Sequence, residues 1–280
     1  MSTNVTLTSG IRQNLFSLQG TQNLLEQTQT RLASGKKVQT ALDDPINFFA
    51  AQGHQQRAGD LAGRKDEMGE AVQTVQAANN GIEAITTLIE SAKSLANSAL
   101  SADSTTETAS LGAQFNTLLD QIDTLAADSG YKGINLLNGT AVSLEVKFDE
   151  KGDSSISLTG FAGTSGQSGA GLGISDATGT GSVWVATSDI TTSIGKLDDA
   201  VTTLRSASKT LASNLSVITT RQDFTTSMMN TLEDGAADLV NANMEEESAN
   251  MLMLQTRQSL GISSLSMASQ AAQSILRLFS

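Results

Sequence analysis

Cysteine is absent from the 280-residue chain, so no disulfide, thiol nucleophile or Cys-ligated zinc can form, and thiols say nothing of its redox compartment. Pro45 is the only proline, and aromatic residues make up 4% of the chain. A core built from Leu, Ile, Val, Met and Ala, with almost nothing to interrupt a helix, favours long helices over a strand-rich sandwich. Basic residues are also scarce. Seventeen Lys and Arg stand against 29 Asp and Glu, a formal charge of −12. Nucleic acids and anionic membranes repel such a chain, so neither is an expected partner. No apolar run approaches the roughly 20 residues that span a bilayer. Met1 to Gly10 carries neither the basic nor the apolar segment of a Sec-type signal. That leaves a cytoplasmic protein, or one exported without a cleavable signal.

What is present is periodicity. Ile11, Leu15, Leu18, Gln22, Leu25, Gln29 and Leu32 recur at threes and fours, which makes a heptad seam ending at Ser34-Gly35. Asp43 or Asp44 before Pro45 makes a helix cap followed by proline in the first turn. A second seam runs from Met68 through Val72, Val75, Ile82, Ile85 and Ile89 to Ala96. A third takes Leu111, Phe115, Leu118, Ile122 and Leu125, with 101–108 as the turn between them. The period then falls to two. Val142, Leu144, Val146 and Phe148 alternate with polar residues, and Ile156 and Leu158 resume after 150–153, which reads as a β-hairpin. Residues 160–182 are rich in Gly, Ser, Thr and Ala, with too few apolar side chains to bury, and read as loop or partly disordered chain; 183–185 could return a short strand. Helical periodicity resumes at Ile190 and runs through Leu197, Leu204 and Leu211 to Ile218. After Gly235 a last segment aligns Met251, Leu254, Gln258, Ile262, Leu265, Ala268, Ala272, Ile275 and Phe279.

No constellation points to catalysis, a metal or a cofactor. The single histidine, His54, comes without a G-x-S-x-G elbow, and a helix-packed or solvated role is simpler. Asp43-Asp44 is more simply a cap than a carboxylate pair, and Glu245-Glu246-Glu247 a solvated acidic first turn. Gly163 to Gly173 lacks the Lys-Ser/Thr of a phosphate loop.

The two terminal seams together carry about ten large apolar side chains, each stabilising by about 1.5–3 kcal/mol when fully buried. A pair of helices covers only one face of each, and Met251-Leu252-Met253-Leu254 points around its helix. Periodicity alone leaves two solutions evenly balanced: a bundle folded on the middle of the chain, or a polymer in which other copies cover the surplus.

Arg31 to Pro45, RLASGKKVQTALDDP, is similar to the flagellin pattern of RLSSG, a basic and aliphatic stretch, and a DD pair. Arg31, Leu32, Ser34, Gly35, Asp43 and Asp44 carry that motif. Ala242 to Phe279 resembles the flagellin C-terminus, with its acidic turn, Gln-rich coiled coil and Leu-rich end. The likeness covers roughly Thr3 to Gly139 and Ile190 to Ser280. It implies a mainly α protein whose long coiled-coil helices from both termini pack together, with a small β-hairpin region mid-chain. Residues 1–45 and 235–280 would form the filament core, 46–139 and 190–234 a helical rod, and 140–189 a short outer hairpin and loop.

The implied function is a structural subunit that self-assembles into the flagellar filament. It would be exported unfolded to the cell exterior, with terminal helices that order on assembly. Ile11, Leu15, Leu18, Leu25, Leu32, Leu254, Ile262, Leu265, Ile275, Leu276 and Phe279 are the expected polymerisation and core contacts. The resemblance implies as partners further copies of the chain, an export chaperone at the C-terminal helix, and the hook-associated junction and cap proteins. Pro45-Ile46-Asn47-Phe48 is similar to alphaproteobacterial members, and the short outer segment implies a thin, smooth filament. Where many flagellins carry the R-x-R-E-L-A patch read by vertebrate innate receptors, this chain has Ser91, Lys93, Ser94 and Leu95. Lysine cannot reproduce a bidentate guanidinium contact, so weak receptor activation is expected. A hook-filament junction protein and a monomeric secreted helical module are the alternatives.

Overall fold

A computed structural model describes residues 9–166, 171–177 and 183–278. In chain order these form α1 (Ser9–Ser34), α2 (Pro45–Leu100), α3 (Thr105–Asp128), β1 (Ser143–Lys147), β2 (Ser155–Thr159), α4 (Thr187–Val240) and α5 (Met244–Leu278). The fold is mainly α, with one antiparallel two-stranded sheet among the described residues. The chain divides into two units: Met1–Gln56 with Thr231–Ser280, and Arg57–Asn230.

The central unit, Arg57–Asn230, is an antiparallel helical assembly whose buried residues keep a strict seven-residue interval. On α2 one row is Met68, Val75, Ile82, Ile89 and Ala96, and a second is Ala71, Ala78, Ile85, Ala92 and Ala99. On α4 the row is Ile190, Leu197, Leu204, Leu211 and Ile218. A sustained period of 3.5 residues keeps one seam facing its neighbour, and alanine in the second α2 row lets the backbones approach. Ser208 Oγ donates to Asn79 Oδ1 at 3.2 Å and Lys93 pairs with Asp198, so α4 descends as α2 rises. Ser104 caps α3 by accepting from Thr106 N.

The hairpin pairs Ser143 with Thr159 through Lys147 with Ser155. One face of it, Val146 and Leu158, is buried in the same core as α2, α3 and α4. The segment after it departs from the sequence expectation: Leu172, Ile174, Ala177 and Trp184 are all buried. Trp184 lies 4.7 Å from Phe115, centroid to centroid, and its Nε1 donates to Ser193 Oγ at 3.2 Å. Few apolar residues are present, but nearly all of those described are used, and the small residues between them let the loop lie flat on α3. Trp184 N would stand only 3.0 Å from a Cβ at Gly112. Residues 183–185 form no strand; the chain there serves to seat the tryptophan.

The terminal unit pairs α1 with α5. Leu18 lies against Gly261, Gln22 accepts from Gln258 Nε2 at 2.7 Å, and Arg31 bonds Glu247 at 3.0 Å. Numbers fall on one helix as they rise on the other, so the pair is antiparallel. A small second core of Val38, Ala51, Ala236 and Val240, with Phe48 and Leu239 against it, closes the elbow. Gly235 does not end a helix: α4 runs through it to Val240, since a mid-helix glycine costs only about 1 kcal/mol against alanine. The break comes at Asn241–Asn243, where Asn243 Oδ1 accepts from Glu245 N and starts α5.

Candidate functional site

The conspicuous surface is the outside of the terminal unit. Among the described residues, twelve of the sixteen exposed large hydrophobic side chains belong to it. Leu42 is 95% exposed, Ile46 80%, and Phe16 70%; Leu260, Met267 and Leu252 are also largely in water. The central unit has four such side chains among its described residues, Leu100, Val185, Val217 and Phe224.

The motif from Arg31 to Pro45 builds the elbow that carries part of that surface. Gly35 takes φ +70°, a left-handed conformation that costs glycine little, and its N donates to Arg31 O at 2.8 Å to close α1. Ser34 Oγ donates to Thr30 O and accepts from Lys36 N. The chain then lies along the end of α4, with Lys37 N donating to Val240 O and Ala242 N to Gly35 O. The two aspartates have separate tasks. Asp43 accepts from Gln39 N and Thr40 N at 3.0 and 2.9 Å, and these backbone bonds hold its carboxyl below the usual aspartate value. Asp44 is the cap of α2, accepting from Asn47 N at 3.1 Å.

Glu247 corrects the sequence expectation of a solvated acidic turn. Glu245 and Glu246 are exposed, but Glu247 is 8% exposed and holds Arg31 across the pair. Three identical residues in a row give no sequence signal of which one faces inward.

The expected contact residues divide by exposure. Leu25 and Leu254 are buried between α1 and α5; Ile11, Leu18, Leu32 and Leu265 are half-buried. Leu15 and Ile262 are exposed, and the α5 position that meets Leu18 is Gly261. Ile262 is apolar at the interval that predicts a seam position, but the structure turns it outward. Glycine carries no hydrophobic signal, yet its missing side chain is what lets Leu18 approach. Phe279 and the side chains of Ile275 and Leu276 lie outside the described residues. Ser91, Lys93, Ser94 and Leu95 sit on α2 in the central unit, where Ser91 Oγ donates to Thr87 O and Leu95 is half-buried. His54 is half-buried on α2.

The described part of the chain is thus a mainly helical protein in two units, one with a core of its own and one whose paired helices leave most of their large apolar side chains in water. Comparison with known proteins gives its family. The bacterial flagellin N-terminal helical region matches residues 6–142, and the bacterial flagellin C-terminal helical region matches residues 194–279. Flagellin FljM of Caulobacter vibrioides is 31% identical over 97% of this chain and 96% of its own length. Flagellin FljK of the same organism is 30% identical, covering 95% and 94%. The flagellin of Brucella melitensis is 27% identical, covering 95% of each. Among solved structures, Bacillus cereus flagellin is similar at a TM-score of 0.47 and 20% identity, covering 57% of this chain and 88% of that one.

The chain belongs to the bacterial flagellins, in a form like those of the alphaproteobacteria. It is therefore a structural subunit of the flagellar filament, from a structural family and not an enzyme family, and neither the junction-protein nor the monomeric-module alternative is favoured.

Proposed function

We propose that the α1–α5 pair, with the elbow at 35–44 and 241–243, is the polymerising part of this filament subunit. Residues 1–45 and 235–280 would be the filament core, 46–139 and 190–234 the rod, and 140–189 the outer part. The observation that carries this reading is the uneven distribution of large exposed apolar side chains, twelve of sixteen among the described residues lying on the terminal unit. Burying a Leu or Phe of that kind stabilises by about 1.5–3 kcal/mol, so several buried together favour association of these surfaces. Leu15, Ile262 and the other exposed seam residues are then contacts between copies, whereas Leu25 and Leu254 hold one copy's pair together.

The same reading includes as further partners an export chaperone at the C-terminal helix and the hook-associated junction and cap proteins. Secretion to the cell exterior belongs to the same reading. The test is removal of residues 261–280 from the purified chain. Filaments seen by electron microscopy after seeding or salting should vanish, while the cooperative unfolding of the central unit persists. A truncated chain that still makes long filaments, or that loses the central unit's transition, would overturn the proposal.

A further inference from the structure

On the paired helices of the terminal unit the buried face is the less apolar one. Among the described residues four are buried on α1 and α5, and two of them, Thr28 and Glu247, are polar; the others are Leu25 and Leu254. The half-buried seam positions add Gln22, Gln258 and Gly261 to Leu18 and Leu265. The outward side of α5 carries Leu252, Met253, Leu260 and Met267, each at least 46% exposed. At about 100° per residue these four fall within about 100° of arc, on the side opposite Leu254 and Gly261. Apolar area alone would pair α5 through that outer stripe.

What distinguishes the inner face is polar pairing. Gln258 Nε2 donates to Gln22 Oε1 at 2.7 Å, and Gln22 Nε2 donates in turn to Glu26 Oε1 at 3.2 Å, so the Gln22 amide is bonded at both ends. Nearer the elbow, Arg31 Nη1 donates to Glu247 Oε1 at 3.0 Å. Leu18, Leu25 and Leu32 recur every seven residues on α1, so they do not distinguish one register from the next. The polar residues do. A shift of one heptad sets Gln22 against Leu265 or Met251, and in one direction it sets Glu247 against Leu24. Each shift leaves polar groups facing side chains that cannot replace the lost partner.

We propose that Gln22 and Gln258, backed by Arg31 and Glu247, select the antiparallel pairing of α1 with α5 within one chain and so turn the more apolar stripe of α5 outward. A polar pair in a coiled-coil seam fixes partner and register at a cost in stability, because every other pairing strands it. That the outer stripe then serves assembly rests on the polymerising role proposed above; the choice of face does not.

Cross-linking of the full chain tests it. The chain has no cysteine, so Leu18→Cys with Gly261→Cys supplies two thiols facing each other across the seam, where a Cβ at Gly261 lies 3.1 Å from Leu18 Cγ. A short bis-maleimide, applied under the salting conditions used for assembly, joins them within one chain or between chains, and a denaturing gel separates the products. On this reporter, Gln22→Ala with Gln258→Ala should lower the ratio of intrachain to interchain product about fivefold, the factor that one net hydrogen bond of ordinary strength supplies. Gln22→Lys with Gln258→Glu should restore the ratio, since these opposite charges meet only when α1 pairs with α5. Gln22→Leu with Gln258→Leu should not restore it, although two leucines fill the seam better than two alanines. The proposal is overturned if the alanine pair keeps the reporter's ratio, if the leucine pair restores it, or if the Lys/Glu pair stays at the alanine level. Filaments are scored in the same samples: the expected ratios without any filaments would remove the polymerising role and leave the choice of face standing.

Discussion

Replacing Arg31 by glutamine isolates the one ion pair between α1 and α5 among the described residues. The guanidinium lies 3.0 Å from Glu247 Oε1, with side-chain exposures of 33% for Arg31 and 11% for Glu247. An exposed pair contributes about 0.2–1 kcal/mol, whereas removing one partner of a fully buried pair costs about 3–5 kcal/mol. Here only the carboxylate is deep, so we expect Arg31→Gln to cost about 2 kcal/mol. If the α1–α5 pair must form before a subunit adds, that cost appears as a rise of about 30-fold in the critical concentration. Glu247→Gln should cost less, about 1 kcal/mol, because it leaves behind an arginine that water already reaches, and not a stranded carboxylate. The double variant should cost less than the sum of the two, the residual being the coupling of the pair. Sedimentation of filaments across subunit concentration measures all three. An unchanged critical concentration for Arg31→Gln, or strict additivity in the double variant, would refute the assignment.

Trp184→Ala should destabilise the central unit by about 3–5 kcal/mol, read by urea unfolding, because a 1%-exposed indole leaves a cavity against Phe115. Ser193 Oγ keeps its bond to Asp189 O, so Trp184→Phe should recover much of the loss. Asp176 is held above the usual aspartate value by burial first, then by Asp120 and Asp123. A raised carboxyl opposes folding while ionised, so this group makes the central unit more stable as pH falls from neutral through its folded value, with the gain complete below the ordinary value near 3.8. Asp176→Asn should raise the melting temperature at pH 7 and remove that part of the pH dependence, and a lower melting temperature at pH 7 would contradict it. In a receptor reporter assay the filament subunit should activate weakly, since Lys93 lacks a guanidinium and is paired with Asp198; potency equal to that of an R-x-R-E-L-A flagellin would count against this.

What the sequence made legible was everything set by period and by local chemistry. The rows from Met68 to Ala96 and from Ile190 to Ile218 repeat every seven residues, and that interval alone fixes the buried side of α2 and α4. Asp44-Pro45 announces the start of α2 because a cap and a proline first turn need nothing from the rest of the fold. The hairpin is legible from its alternation. Other features depend on which neighbour arrives. Leu172, Ile174 and Trp184 are spread through a loop with no period, so their burial is visible only once α3 offers a surface. Glu247 differs from Glu245 and Glu246 only in facing α1, and Gly261 differs from Ile262 by having nothing to show. Ile262 follows the hydrophobic pattern, and the structure places it outward, where the pattern of one chain does not reach.

Charge and apolar surface are sorted oppositely between the two units, and this bears on how salt should act. Of the formal charge of −12, residues 57–230 carry −9 and the terminal residues −3. The central unit thus has a complete core, few exposed apolar side chains and a strong like-charge repulsion between copies. The terminal unit has the converse, which favours the association through the ends proposed above. Salt screens the diffuse repulsion between central units, which acts over the Debye length of about 8 Å at physiological ionic strength, and salting-out anions strengthen the burial of the apolar side chains exposed on the terminal unit. Moderate salt should therefore lower the critical concentration of the unmodified chain. A critical concentration that rises steadily with sodium sulfate would show that attraction between opposite charges, and not apolar burial at the ends, drives elongation.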